Sequence, residues 1–198
     1  TKPPSMDVDA KDFLARHLKK DVDLSGSELM HIMDCFSVLP ARKASAIFKQ
    51  GDTVRHVYFV VSGLLKLVYH DDEGKEHILS FAMEEWWETD FQAFYQGSLS
   101  HLSLLCVENS VLLQLSSADY RQLCASIPKF EHFLFQKSIS GHIASQRRIL
   151  SLLTTQARER YELLIKQYPA LIQRLPKAQL AAYLGVSRET LSRLYTGN

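Results

Sequence analysis

The chain has 198 residues, of which 46% are hydrophobic and 23% charged, a size that suits one large domain or two small ones. That composition excludes a disordered or fibrous chain, and no apolar run approaches the roughly 18 residues of a membrane-spanning helix. Charge is nearly balanced overall but divided along the chain: residues 1–144 carry 14 basic and 19 acidic side chains (net −5), and residues 145–198 carry 9 and 3 (net +6). The basic C-terminal quarter is the expected meeting place with a polyanion; the competing reading is clustering on solvated helix faces.

Residues 1–5 are set aside, and the start TKPPSMDVDAKDF has no basic-then-apolar signal pattern. Residues 8–38 read as helix. Phe13, Leu14, His17 and Leu18 recur at helical spacing, then Leu29, Ile32, Met33 and Phe36, with a break and a cap at Ser25-Gly26-Ser27 and an end at Pro40. From about residue 42 the period changes to two. Val57–Val61, Leu64–Tyr69, His77–Phe81, Leu102–Val107 and Val111–Leu115 are β-branched or apolar runs, separated by turns such as Ser62-Gly63 and Asp71–Lys75. Short strands about every ten residues, with no helix between them, predict an antiparallel sandwich or jelly roll rather than a parallel βαβ sheet.

Helical period returns at residue 116. Ser116–Asp119 can cap a short helix. After Pro128 a helix is predicted over 129–154, and Phe130, Phe133, Leu134, Ile139, Ile143, Ile149, Leu150 and Leu153 give it a broad apolar stripe. So long and so apolar a helix needs a partner. A dimer seam formed by Phe135, Ile139, His142, Ile143, Ile149, Leu150 and Leu153 is one reading, and burial within its own domain is the other. A helix over 155–167 ending at Pro169, and two short helices at 176–183 and 187–195, complete the chain.

The last two are the most informative. Leu180, Ala181 and Leu184 form a packing face, and Gly185 supplies the positive φ of a tight turn. Val186 plugs the space between the helices, Ser187 caps the second helix, and Leu191 and Leu194 face inward. Arg188, Glu189, Ser192 and Arg193 are left outside. Arginine can donate two parallel bonds to guanine and glutamate can accept from cytosine, and a recognition helix reads bases with its N-terminal residues. The hydroxyls of Ser187, Thr190 and Ser192 suit phosphates. The pattern is a helix-turn-helix, against the alternative of an ordinary hairpin with a solvated face.

With those residues in place, the chain resembles the Crp/Fnr superfamily of bacterial transcription regulators over nearly its whole length. The resemblance rests on Ile47-Phe48-Lys49-Gln50-Gly51-Asp52, Val57–Gly63, Lys66-Leu67 and Gly74-Lys75-Glu76 in the roll, and on Gly185–Arg193 in the tail. It implies an α+β fold: an N-terminal antiparallel jelly roll of the cyclic-nucleotide-binding kind with flanking helices (6–128), a long dimerisation helix (129–154) and an all-α helix-turn-helix domain (155–198). It also implies base contacts from Arg188, Glu189 and Arg193. The implied protein is a homodimer in the cytoplasm, bound to near-palindromic double-stranded DNA and meeting RNA polymerase.

Two departures qualify the resemblance. Family members that bind cyclic AMP hold its phosphate with Gly-Glu and Arg-Ser pairs, whereas here Ser100 or His101 occupies the arginine region and no arginine lies between Arg55 and Arg121. A buried phosphodiester without a cation is costly, so cyclic AMP is not the expected effector. Trp86, Trp87, Asp90, Phe91, Ser100 and His101, with Phe94 and Tyr95 nearby, either line a pocket for another small molecule or pack the roll against its helices. The second departure is that the sequence stops at Asn198, directly after the recognition helix, so the family's β-hairpin wing is expected to be abbreviated or absent. The three cysteines (35, 106 and 124) do not make an iron–sulfur site, and His56, His70, His77 and His101 are too scattered for a cupin metal centre. No cofactor, metal or catalytic residue is expected. The alternative to a DNA-binding regulator is a ligand sensor acting through protein partners.

Overall fold

The computed structural model describes residues 6–196, with only the backbone for residues 6–8 and 194–196; the inward Leu194 side chain and the abbreviated wing expected after the last helix lie outside what is described. The chain opens with helices α1 (Met6–Asp21) and α2 (Gly26–Asp34). Ser25 starts α2 with a reciprocal cap: its hydroxyl accepts the Glu28 N–H, and the Glu28 carboxylate accepts the Ser25 N–H at 2.7 Å.

The expected helix through residue 38 is corrected here, because Phe36–Ala41 is strand β1. It pairs with only one other strand, opposite Ser110–Leu115, and Pro40 faces Val111 in that register. An edge strand has one side free of ladder bonds, so it tolerates a proline that a central strand would reject. Phe36 joins the core from this strand.

The remaining strands are β2 (Ala46–Phe48), β3 (His56–Ser62), β4 (Leu65–His70), β5 (Glu76–Ala82), β6 (Trp87–Glu88), β7 (Ser103–Cys106) and β8 (Ser110–Ser116), with a short helix α3 (Phe91–Gln96) between β6 and β7. They form two four-stranded antiparallel sheets, in the orders β1-β8-β3-β6 and β2-β7-β4-β5, which face each other as a jelly roll. Helices α4 (Ser117–Ser126), α5 (Pro128–Thr154), α6 (Ala157–Gln167), α7 (Pro169–Arg174), α8 (Lys177–Leu184) and α9 (Arg188–Thr196) follow. Pro169 does not merely end α6. It opens α7 in the first turn, where its missing N–H costs nothing.

Two apolar clusters organise these elements. The first fills the roll and its contacts with α1 and the start of α5, and includes Leu14, Leu18, Tyr58, Phe59, Leu65, Leu67, Leu104, Leu113, Phe130 and Phe133. The second joins Leu64, Val68, Ile78, Phe81 and Val107 of the roll to Tyr161, Leu164, Leu171, Leu175, Leu180, Ala181, Leu184 and Leu191 of the C-terminal helices. One face of the second sheet therefore looks into the roll, and the other is covered by the C-terminal module.

Candidate nucleic-acid interface and effector region

Helix α8 ends at Gly185, whose φ of +69° turns the chain so that Val186 N–H bonds back to Ala181 O at 3.0 Å. Ser187 then starts α9 by accepting the Thr190 N–H at 3.1 Å. Leu180, Ala181, Leu184 and Leu191 are buried between the helices and the roll, with Val186 packed against them. Burying that face turns Arg188, Glu189, Ser192 and Arg193 outward, all exposed, beside exposed Ser187 and half-buried Thr190. Hydrogen bonds from its own backbone N–H and from the Ser187 hydroxyl hold the Glu189 carboxyl below its usual range. The face thus presents two guanidinium groups and a carboxylate within two helical turns. It can donate to and accept from base edges.

On α5, Phe130, Phe133 and Leu134 are buried in the roll's core. Beyond them much of the helix's apolar stripe is left uncovered by its own chain. Phe135 is 56% exposed and Leu153 78%, and Ile139, Ile143, Ile149 and Leu150 are exposed with them, as is His142. Ile139, His142, Ile149 and Leu153 fall on a repeat of alternating three and four residues, the spacing of a helix-to-helix seam.

The six residues considered for an effector do not converge on one cavity. Asp90 and Ser100 are brought together: Asp90 caps α3 through the Ala93 N–H at 3.1 Å and accepts the Ser100 hydroxyl at 2.7 Å, and both are buried. Trp87 packs among Phe59 (4.9 Å between centroids), Phe36 and Phe133. Trp86 meets the Tyr168 ring edge-on at 5.4 Å, between α6 and α7. Phe91 and His101 are exposed. Two open depressions, one at Pro40–Arg42 with Ser62 and Asn109–Val111 and one at Lys19–Leu24, border none of the six.

Sequence reasoning missed Glu88. It is buried, accepts the Ser80 hydroxyl at 2.7 Å and the Thr89 N–H at 3.1 Å, and burial pushes its carboxyl up to about 7. The signal was an acidic residue directly after two tryptophans, a place where a carboxylate has little water. Among the described residues no group of three or more His, Cys, Asp or Glu side chains could hold a metal ion. Among the described residues no helix is long and apolar enough to cross a membrane.

Comparison with known proteins agrees with this architecture. Residues 39–127 match the cyclic nucleotide-binding domain family. The chain is 25% identical over 170 residues to the regulatory protein HlyX of Actinobacillus pleuropneumoniae, covering 78% of this chain and 68% of that one. The chain spans about two thirds of the length of the curated relatives it matches. Among solved structures, FixK2 from Bradyrhizobium japonicum superposes with a TM-score of 0.73 at 15% identity, covering 82% of this chain and 83% of that one. A transcriptional regulator of the Crp/Fnr family from Eubacterium rectale superposes with a TM-score of 0.67 at 15% identity, over 90% and 84% of the two chains. A roll of the cyclic-nucleotide-binding kind, a long helix after it and a helix-turn-helix at the end, together with these relatives, make the chain similar throughout to the Crp/Fnr superfamily of bacterial transcription regulators.

Proposed function

We propose that the protein is a homodimeric, sequence-specific DNA-binding transcription regulator that reads the major groove with α9. The observation that carries this is the outward face of α9. Arg188, Glu189, Ser192 and Arg193 are exposed on a helix whose opposite side, through Leu191, is locked into the core. Two chains pairing along the exposed stripe of α5 set two such helices about one DNA turn apart, near 34 Å, on a near-palindromic operator. The domain division at residues 128/129 and 154/155 belongs to the same proposal, as does a contact with RNA polymerase.

The roll senses an effector other than cyclic AMP, or none. Ser100 or His101 occupies the region of the phosphate-binding arginine of cyclic-AMP-binding members; Ser100 is buried against the Asp90 carboxylate and His101 is exposed. An anion placed there meets the Asp90 carboxylate rather than an arginine.

Fluorescence anisotropy with selected genomic fragments, at several salt concentrations and with and without cyclic AMP, tests both parts. Wild type binds selectively, with affinity falling steeply as salt rises, and cyclic AMP leaves it unchanged. Arg188→Ala with Arg193→Ala weakens the cognate site by roughly 10-fold or more per lost base contact. Equal binding by this variant and wild type overturns the assignment of α9. Binding that requires cyclic AMP overturns the reading of the roll.

A further inference from the structure

We infer that the segment Glu84–Asp90 is a rigid lever coupling the loop of residues 90–101, which carries Asp90, Phe91, Ser100 and His101 of the effector reading on which this rests, to the docking of the helix-turn-helix module, with Arg174 as the latch at its far end.

Successive residues of this segment touch different parts of the molecule. The Glu84 carboxylate receives Arg174 Nη1 at 2.7 Å and Nη2 at 3.0 Å, and its Oε1 also accepts the Gly63 N–H at 2.8 Å. Arg174, at the end of α7, forks onto Glu108 as well, through Nε at 3.0 Å and Nη2 at 2.7 Å. Glu85 pairs with Lys20 of α1. Trp86 packs on Tyr168. Trp87 and Glu88 pair with Phe59 and Tyr58 on β3, and the Thr89 hydroxyl donates to His56 O at 2.8 Å. Asp90 then caps α3 and holds Ser100 on the returning limb of the loop.

The segment is over-determined, as a lever must be. Glu85 has a φ of +68°, a left-handed conformation that a glutamate keeps only when its surroundings impose it. Three backbone bonds do so: Trp86 N–H to Met83 O, Glu85 N–H to Val60 O and Val60 N–H to Trp86 O. Movement at Glu84 is therefore passed along rather than absorbed.

The latch is suited to release. The Arg174 side chain is 24% exposed and its two carboxylate partners 37% and 34%, so water reaches all three. A pair at that depth holds a docked state without being essential to folding. The apolar contact of Leu171 and Leu175 with Leu64 and Phe81 remains when the charges are removed. The coupling calls for a second, loosened position of the module beside the docked one, and that is what the experiment looks for.

Hydrogen exchange of the full chain, read by mass spectrometry without DNA, tests this apart from the DNA-binding proposal. Arg174→Ala, and separately Glu84→Gln with Glu108→Gln, accelerate exchange roughly tenfold in residues 169–184. They accelerate it also in loop 90–101, which Arg174 does not touch, while β8 keeps its wild-type rate. Asp71→Asn, which breaks the surface pair with His77, moves neither region. If acceleration is confined to 169–184, Arg174 is a local staple and the coupling is overturned. If Arg174→Ala loosens β8 as well, Arg174→Lys, which keeps the charge but cannot fork both carboxylates, decides between the same two outcomes.

Discussion

At Gly63 the chain passes so close to β8 that an added Cβ would lie 2.2 Å from Ser110 Oγ and 2.7 Å from Ser110 Cα, and its φ is +104°. Gly185 has a similar left-handed backbone at +69°, but there the nearest atom to an added Cβ is Leu152 Cδ2 at 3.6 Å, ordinary contact. Both turns were legible in the sequence, but only the structure separates the two glycines, because the difference lies in a neighbour 47 residues away. Gly63→Ala is therefore expected to cost about 2–4 kcal/mol, from strained backbone plus a clash with main chain. Gly185→Ala costs about 1–2 kcal/mol from backbone alone. Urea unfolding of the two variants checks the order.

Glu88 makes a second prediction at this scale. Its folded value of about 7 lies above the ordinary 4.5, so the folded protein holds a proton that the unfolded chain has released. Its contribution is present below pH 4.5 and is lost as pH rises toward 7, by about 3 kcal/mol in all. Glu88→Gln, which keeps the shape and a hydrogen bond to Ser80, removes that slope. Unfolding free energies measured from pH 4.5 to 8 should show a flatter curve for the variant, and an unchanged curve means Glu88 is ionised in the folded state.

Among elements, β4 shows how tertiary packing rewrites a sequence pattern. A strand with one wet face alternates, yet Leu64-Leu65-Lys66-Leu67-Val68 is nearly all apolar. Leu65 and Leu67 enter the roll, while Leu64 and Val68 meet the C-terminal module. Lys66 survives in that run because Glu76 of β5 pairs with it at 2.5 and 2.6 Å. β1 was misread as helix because Phe36 continued the spacing of Ile32 and Met33, and the ladder to β8 outweighed local periodicity. For α5 the stripe was legible but its division was not: Phe130 and Phe133 are buried while Phe135 and Ile143 are exposed. Ile143→Glu and Leu150→Glu are expected to shift the chain from dimer toward monomer in sedimentation. Melting of the roll should change by less than about 1 kcal/mol, since neither side chain is in the core. If both variants sediment as wild type, the seam lies elsewhere.

At the scale of the molecule, Arg148 joins three parts. From α5 it donates to Ile78 O at 3.0 Å and Leu79 O at 3.1 Å on β5 and to Tyr183 O at 2.9 Å on α8, and its guanidinium lies 3.6 Å over the Tyr183 ring. Tyr183 in turn stacks edge-on against Phe81 at 5.0 Å. With the apolar cluster shared by roll and C-terminal helices, this contact is expected to make roll and module unfold together in one calorimetric transition. Arg148→Ala leaves three carbonyls without this donor and removes a cation–π contact. It is expected to cost about 2–4 kcal/mol and to split the transition in two, the module melting first. A single transition at an unchanged temperature would show that the apolar contact alone holds the module.

The order of parts was determined by the sequence alone: roll, long helix, helix-turn-helix. So was the outward face of α9, because helical spacing, a glycine turn and a capping serine are local properties that a short window of residues specifies. What only the tertiary structure decided is non-local. Trp87 belongs to the core and Trp86 to the module's interface, Asp90 and Ser100 satisfy each other, and Arg148 and Arg174 bind the module to the roll. Each of these depends on a partner distant in sequence, whose approach is set by how whole sheets and helices pack and not by the residues beside it.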